Sequence, residues 1–193
     1  MTNARATRER LLDAAADILE TEGITHLNTN AVAARAGVTP PTVYRNFRNK
    51  EAIMEGLAWR FLEVERQWLS EAGASLGPED SLETLIATVI DQYWDAAHRQ
   101  RGVVALRGAM RVWPVLKPVE EQSLQNATQS LAAMLTPRLA EAPPRRLDLI
   151  ARHVVETVCS TIDRCYTLPA EEQAWRLEQL KLAITAYLSA ELA

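Results

Sequence analysis

The sequence predicts an all-α fold: a three-helix N-terminal helix-turn-helix domain over residues 1–50, then a larger helical domain over residues 51–193, with about nine helices in all. Three observations predict it. Apolar residues recur at three- and four-residue steps along almost the whole chain, with no β-alternation of note, no repeat and no low-complexity segment. Gly and Pro gather in short clusters between those periodic segments, as at Gly73–Asp80 and 141–146. Two short helical patterns between Asn28 and Lys50 are split by one sharp turn at Gly37.

The first helix carries Leu11, Ala15, Ile18 and Leu19 on one face and ends at Gly23. Residues 1–9 are polar, with Arg5 and Arg8, and read either as an arm reaching phosphates or as a frayed end. Asn28 is an N-cap, because its side chain accepts from free backbone N–H groups of the next turn. Val32 and Ala36 follow as an apolar face, with Ala33 small enough for close helix crossing. Gly37 stands where a helix end needs positive φ. Thr39 is a second N-cap, and Pro40 and Pro41 fit a first turn, where no intrahelical donor is lost. Val43 and Phe47 point inward; Thr42, Tyr44, Arg45 and Asn46 point elsewhere.

Asn49 caps a longer helix whose expected inner face is Ile53, Leu57, Phe61, Val64 and Trp68. That helix links the first domain to the second. After the break at Gly73–Asp80, Leu82 to Ala97 carries a stripe broad enough for a helix packed on two sides. A shorter pattern runs from Gly102 to Trp113 and stops at Pro114. Val115 to Leu139 reads as one long helix, about 147 to 168 as another, and the last begins after Pro169.

Charge is divided along the chain. The net charge of −4 hides a first fifty residues with 7 Lys/Arg against 5 Asp/Glu and a remainder with 14 against 20. From Gly23 to Lys50 no Asp or Glu occurs, while Arg35, Arg45, Arg48 and Lys50 are cationic. A carboxylate beside a phosphate backbone repels it, so this pattern suits a surface that meets nucleic acid; the plainer reading is a helical corner with a solvated basic rim. Two Cys exclude a disulfide scaffold. Cys159 and Cys165 lie too far apart along one helix to bridge, which suggests a reducing compartment. No apolar run approaches a membrane span, and no apolar signal core opens the chain, so the expectation is a cytoplasmic protein.

The run from Leu11 to Met54 resembles the DNA-binding region of the TetR family of bacterial regulators. The resemblance rests on Ala14–Ala15, the Gly23 turn, the AxxAGV run ending at Val38, the Thr39 cap, and TVYxxFxxKE from Thr42 to Glu51. Leu19 departs from a common Phe, Asn28 from a common Thr, and Pro40–Pro41 from a Lys-Gly pair. The last change bears on base contacts. The resemblance implies a ligand-responsive regulator, most readily a repressor, bound to a pseudo-palindromic double-stranded operator and released by a small-molecule effector. On that basis Thr39, Thr42, Tyr44 and Lys50 are expected at phosphates. Pro40, Pro41 and Arg45 are expected at base edges or a thymine methyl, and Thr29 and Asn30 at the backbone on the other side.

It also implies that the larger domain binds ligand and forms a homodimer. The candidates with a shape or polar handle for a ligand are Tyr93, Trp94, His98, Met110, Trp113, His153, Cys159 and Tyr166. Each is equally a residue of ordinary core packing. Arg107 and Arg111, one turn apart, form a carboxylate clamp or a solvated pair. An aromatic-rich, cation-poor wall favours an apolar or aromatic effector. On the last two helices Val154, Val158, Ile162, Leu177, Leu180, Ile184, Tyr187 and Leu188 read either as core of one chain or as half of a four-helix bundle with a second copy. Two copies related by a dyad would read two half-sites about 34–36 Å apart.

Enzyme chemistry finds little in the sequence. His26, His98 and His153 are scattered without HExxH or ExxH spacing, so neither a metal nor another cofactor is expected. No glycine-rich phosphate loop or G-x-S-x-G elbow occurs. The remaining rivals are a helical protein-interaction adaptor and an activator built on the same fold.

Overall fold

The computed structural model describes residues 3–77, 79–138 and 143–192. Among them the fold is all-α, with nine α-helices and one 3-10 turn. In order these are α1 (Asn3–Thr21), α2 (Thr29–Ala36), α3 (Pro40–Asn46), α4 (Lys50–Ser75), α5 (Leu82–His98) and α6 (Val103–Val112). The 3-10 turn Pro114–Leu116 precedes α7 (Lys117–Leu135), α8 (Pro144–Cys165) and α9 (Ala170–Leu192). The chain forms two compact units that do not follow chain order. One is Met1–Glu63 with His98–Glu120; the other is Val64–Ala97 with Glu121–Ala193.

In the first unit α1 packs on α2 and on α6. Its centre is Leu11, Leu12, Ile18, Leu27, Val32, Val43, Ile53 and Met54, each essentially without solvent contact. Gly102 opens α6 at φ 71°, and its N–H donates to a Glu20 carboxylate oxygen at 2.7 Å. Arg101 beside it reaches Asp17 at 2.9 Å. Two ties thus hold the start of α6 to α1.

In the second unit α5, α8 and α9 close around one core with the end of α7. Leu85, Ile90, Leu135, Ile162 and Leu188 lie at its centre. Lys181, mostly covered, bridges Asp91 at 2.8 Å and Glu178 at 2.7 Å.

The structure departs from the sequence expectations in three places. The helix expected from Val115 starts at Lys117, because Pro114 instead opens a 3-10 turn whose Leu116 N–H donates to Trp113. It ends at Leu135, where the Thr136 hydroxyl turns back to the Ala132 carbonyl at 2.8 Å and Pro137 follows; Leu139 lies outside the described residues. Helix α8 starts earlier, at Pro144, which fits an N-terminal turn, and ends earlier, at Cys165. Residues 141 and 142 of the expected turn are likewise outside the described residues. On α4 the expected inner face holds at Ile53, Leu57 and Phe61, which are buried, and fails at Val64. Val64 is 38% exposed and Glu65 only 2%, because burial past Phe61 follows Leu62, Glu65, Leu69 and Ala72.

Candidate functional site

Helix α2 is framed at both ends. The Asn28 Oδ1 accepts from the Ala31 N–H at 2.9 Å, and Gly37, at φ 64°, donates back to Ala33 and Ala34. Arg10 adds a further donor to the Ala36 carbonyl at 3.0 Å. The turn then delivers α3 with Val43 buried and Phe47 beneath it, leaving the opposite face in solvent.

Thr39 takes the N-cap position of α3 with extended backbone, but its hydroxyl does not cap a backbone N–H. The reason is chemical. Pro40 and Pro41 have no N–H to offer, and the Thr42 N–H is already held by the Thr39 carbonyl at 2.9 Å. The Thr39 hydroxyl pairs instead with the Thr42 hydroxyl at 3.1 Å, and Arg45 donates to that same Thr42 oxygen at 3.3 Å. Pro40, Pro41 and Arg45 are exposed, and Tyr44 is 54% exposed. The Tyr44 hydroxyl lies 3.1 Å from that of Thr29, so the start of α2 and the later half of α3 share a hydroxyl pair at the surface. Asn30 beside it is exposed. Thr29 and Tyr44 therefore form one hydroxyl pair, and Thr39, Thr42 and Arg45 a group of three centred on the Thr42 hydroxyl. A shallow hollow lined by Ala4, Thr7, Thr42, Arg45 and Asn46 runs along the same side of α3.

The cations divide into used and available ones. Arg35 is held by both Asp17 and Glu22 and is neutralised within the unit. Arg8 lies over the Phe47 ring at 4.9 Å, which places it on the module rather than on an arm; α1 already runs from Asn3. Lys50 donates to the Ile24 carbonyl at 2.6 Å and sits 5.5 Å from the Trp113 ring centroid. It begins α4 next to Asn49, whose side chain accepts from the Ala52 N–H at 2.9 Å. Arg45 and Arg48 are exposed.

The second unit contains a cavity of about 50 Å³ among α4, α5, α7, α8 and α9. Its wall is almost wholly apolar: Trp68, Ile86, Ile90, Leu131, Met134 and Val158 are representative. Of the eight ligand candidates, Tyr93 and Cys159 line it. Tyr93 stacks on Trp68 with ring centroids 5.5 Å apart. Trp94 and Tyr166 are not in the wall and stack on each other at 5.5 Å and 7°. His153 is exposed and meets the edge of Tyr187 at 5.2 Å. His98, Met110 and Trp113 belong to the first unit, so the cavity does not gather them. Arg107, expected in a possible carboxylate clamp, lies over the Phe61 ring at 5.7 Å.

The charged residue of the wall escaped the sequence reading. Glu65 lines the cavity while 2% exposed, and accepts from the Ser123 hydroxyl at 2.5 Å. A Glu between Val64 and Arg66 reads as solvated; only the full burial register of α4 would have turned it inward.

The residues expected at a dimer interface lie on α8 and α9. Val154, Val158, Ile162, Leu177, Leu180, Ile184 and Leu188 are buried within a single chain, and Tyr187 is half-buried beside them. They form the inner faces of α8 and α9, because the strongest apolar stripe of each helix packs on α5 and on the other. The outer faces carry Leu149, Trp175 and Leu182, each more than 60% exposed. Among the described residues, no cluster of three metal-ligating side chains occurs and no helix is long and apolar enough to cross a membrane.

Two family models match this chain. One, for bacterial regulatory proteins of the tetR family, covers residues 11–57; the other, for the tetracyclin repressor-like C-terminal domain, covers residues 81–188. The chain belongs to the TetR family. TetR-family regulators are DNA-binding transcription factors and not enzymes. The class D tetracycline repressor protein of Escherichia coli is 37% identical over 73 residues, which are 37% of this chain and 34% of that protein. The chain thus spans about a third of the length of such curated relatives. A TetR-family transcriptional regulator from Streptomyces coelicolor is 25% identical with a TM-score of 0.71, over 95% of this chain and 98% of that one. A transcriptional regulator from Rhodococcus sp. Rha1 shares the fold at 20% identity and a TM-score of 0.73, over 95% and 96% of the two chains.

Proposed function

We propose that this TetR-family protein is a homodimeric repressor whose α3 enters the major groove of a pseudo-palindromic operator, and that a small apolar or aromatic effector releases it. The observation that carries the DNA reading is the exposed face of α3. It presents Tyr44, Thr42, Arg45 and two prolines in a stretch, Gly23 to Lys50, that contains no carboxylate. Hydroxyls fixed in pairs across α2 and α3 suit phosphate oxygens, which accept but do not donate. Thr29, Asn30, Thr39, Thr42 and Tyr44 are assigned to phosphates. The Lys50 ammonium has three donors, so it can keep the Ile24 carbonyl and still hold a phosphate. Pro40, Pro41 and Arg45 are assigned to base edges, where Arg pairs with guanine and a rigid apolar ring meets a thymine methyl.

The release half of the reading is supported by the apolar cavity of the second unit, which has the lining of a small-molecule site. Pairing through the outer faces of α8 and α9 is supported by Leu149, Trp175 and Leu182, and Trp175 and Leu182 are two turns apart on one face of α9. The work of a tetracycline repressor protein, a relative by sequence, agrees with repression.

Fluorescence anisotropy with the DNA flanking the protein's own gene tests this at two salt concentrations. Tight, steeply salt-dependent binding that far exceeds binding to random DNA is expected. Equal affinity for both DNAs, or binding unchanged in Tyr44→Ala, would defeat it.

A further inference from the structure

Trp113 reads in the sequence as a ligand candidate, yet the structure sets it in the first unit, against the ammonium of Lys50. Two bonded turns fix the position of the ring. The Trp113 N–H donates to the Ala109 carbonyl at 2.8 Å as α6 ends, and its carbonyl accepts from the Leu116 N–H at 3.0 Å in the 3-10 turn that follows. Leu116 is fully buried and anchors that turn. Lys50 approaches from the start of α4, with Nζ 5.5 Å from the ring centroid and 2.6 Å from the Ile24 carbonyl, between α1 and α2. An ammonium this close to an indole face is attracted by the negative charge of the ring's π cloud. Carbonyl and ring take two directions around Nζ, and a third N–H is left for another acceptor. Neither contact neutralises the charge, in contrast to Arg35, which Asp17 and Glu22 hold.

A lysine free in solvent samples many rotamers, and holding a phosphate freezes them at an entropic cost. We propose that Trp113 is a positioning residue for DNA binding: its ring, with the Ile24 carbonyl, confines the Lys50 side chain, so that a phosphate meets a cation already oriented. The inference rests on the DNA reading above and adds to it a residue outside the helix-turn-helix that acts through Lys50. A Trp113 that only packed α6 in place would weaken every DNA contact of the unit alike. A Trp113 that positions Lys50 acts on that one contact, and the difference is measurable.

Phosphate contacts are blind to sequence, so the full chain titrated with a random-sequence duplex over a salt series, read by fluorescence anisotropy, tests the idea. Trp113→Leu is expected to weaken binding roughly three- to tenfold with the salt slope unchanged, because Lys50 keeps its charge and still reaches the phosphate. Lys50→Met should weaken binding and also lower the slope by about one per bound protomer. In the Lys50→Met background, Trp113→Leu should change affinity by less than about twofold. Trp113→Phe, which keeps a ring face, should recover most of the loss.

If Trp113→Leu binds as the native protein does, or loses the same factor with and without Lys50, the proposal is overturned while the DNA reading stands. Affinity and slope unchanged in Lys50→Met overturn it too. If the native protein binds neither this duplex nor the DNA flanking its own gene, the DNA reading falls and this proposal with it. Trp113→Met, ringless and unbranched, replaces the leucine variant in the cycle if circular dichroism shows that Trp113→Leu does not fold.

Discussion

Replacing Gly102 with Ala isolates how tightly the start of α6 is held against α1. Three glycines in the first unit have positive φ: Gly23 at 81°, Gly37 at 64° and Gly102 at 71°. An Ala at any of them meets the backbone penalty of left-handed conformation, about 1–2 kcal/mol. Part of that is offset by the ~0.4–1 kcal/mol that Gly→Ala removes from unfolded-chain entropy. The space around them differs. A Cβ at Gly23 or Gly37 meets nothing within 4 Å, whereas at Gly102 it would stand 2.7 Å from the Leu19 Cβ and 2.8 Å from the Ala16 carbonyl oxygen. Neither neighbour is a flexible tip, so α6 must move away from α1, weakening the bond from the Gly102 N–H to Glu20. Overpacking of this kind costs about 1–3 kcal/mol. Gly102→Ala is therefore expected to lose about 2–4 kcal/mol, and Gly23→Ala and Gly37→Ala about 1 kcal/mol or less. In a chain of this size that lowers Tm by roughly 5–15 °C for Gly102→Ala and by a few degrees for the others. Urea unfolding followed by far-UV circular dichroism, at one fixed protein concentration because pairing shifts apparent stability, gives the comparison. If the three variants agree within a few tenths of a kcal/mol, the α1–α6 approach is not the constraint described here.

Three other outcomes are expected. Tyr44→Phe and Thr42→Val should weaken operator and random DNA together, by about tenfold each, whereas Arg45→Ala should flatten the preference between them, both read by anisotropy. Trp175→Glu with Leu182→Glu should turn a dimer into a folded monomer by sedimentation; Ile162→Ala, in the core, should instead cost about 2–5 kcal/mol of stability and leave pairing intact. Cys159, at the cavity wall, should react with a maleimide well before Cys165 does. Cys165 is fully buried, and burial pushes its thiol above its ordinary pKa, helped by Glu172 and opposed by Arg176.

What the sequence made legible follows from how local each cause is. The caps at Asn28 and Asn49 and the αL glycine at Gly37 are set within four residues, and the structure forms each as expected. The missing carboxylates of α2 and α3 are likewise visible in the letters, although Arg35 shows the limit. Its neutralising partners Asp17 and Glu22 come from α1, and no count within the stretch reveals them. Periodicity names a helix's apolar stripe but not its partner. That is why Val158, Ile162 and Leu180 read equally as core or interface in the sequence, while in this chain each of them is buried.

Glu65 is the sharpest case. Hydrophobicity patterns assign a charged residue to water by default, and Val64 beside it offered a ready apolar substitute for the inner face of α4. A fold that exposes the valine and buries the acid has passed over the cheaper arrangement. The burial of an acid is settled by partners from elsewhere in the fold, among them the Ser123 hydroxyl of α7 at 2.5 Å, and nothing in the letters of α4 announces them.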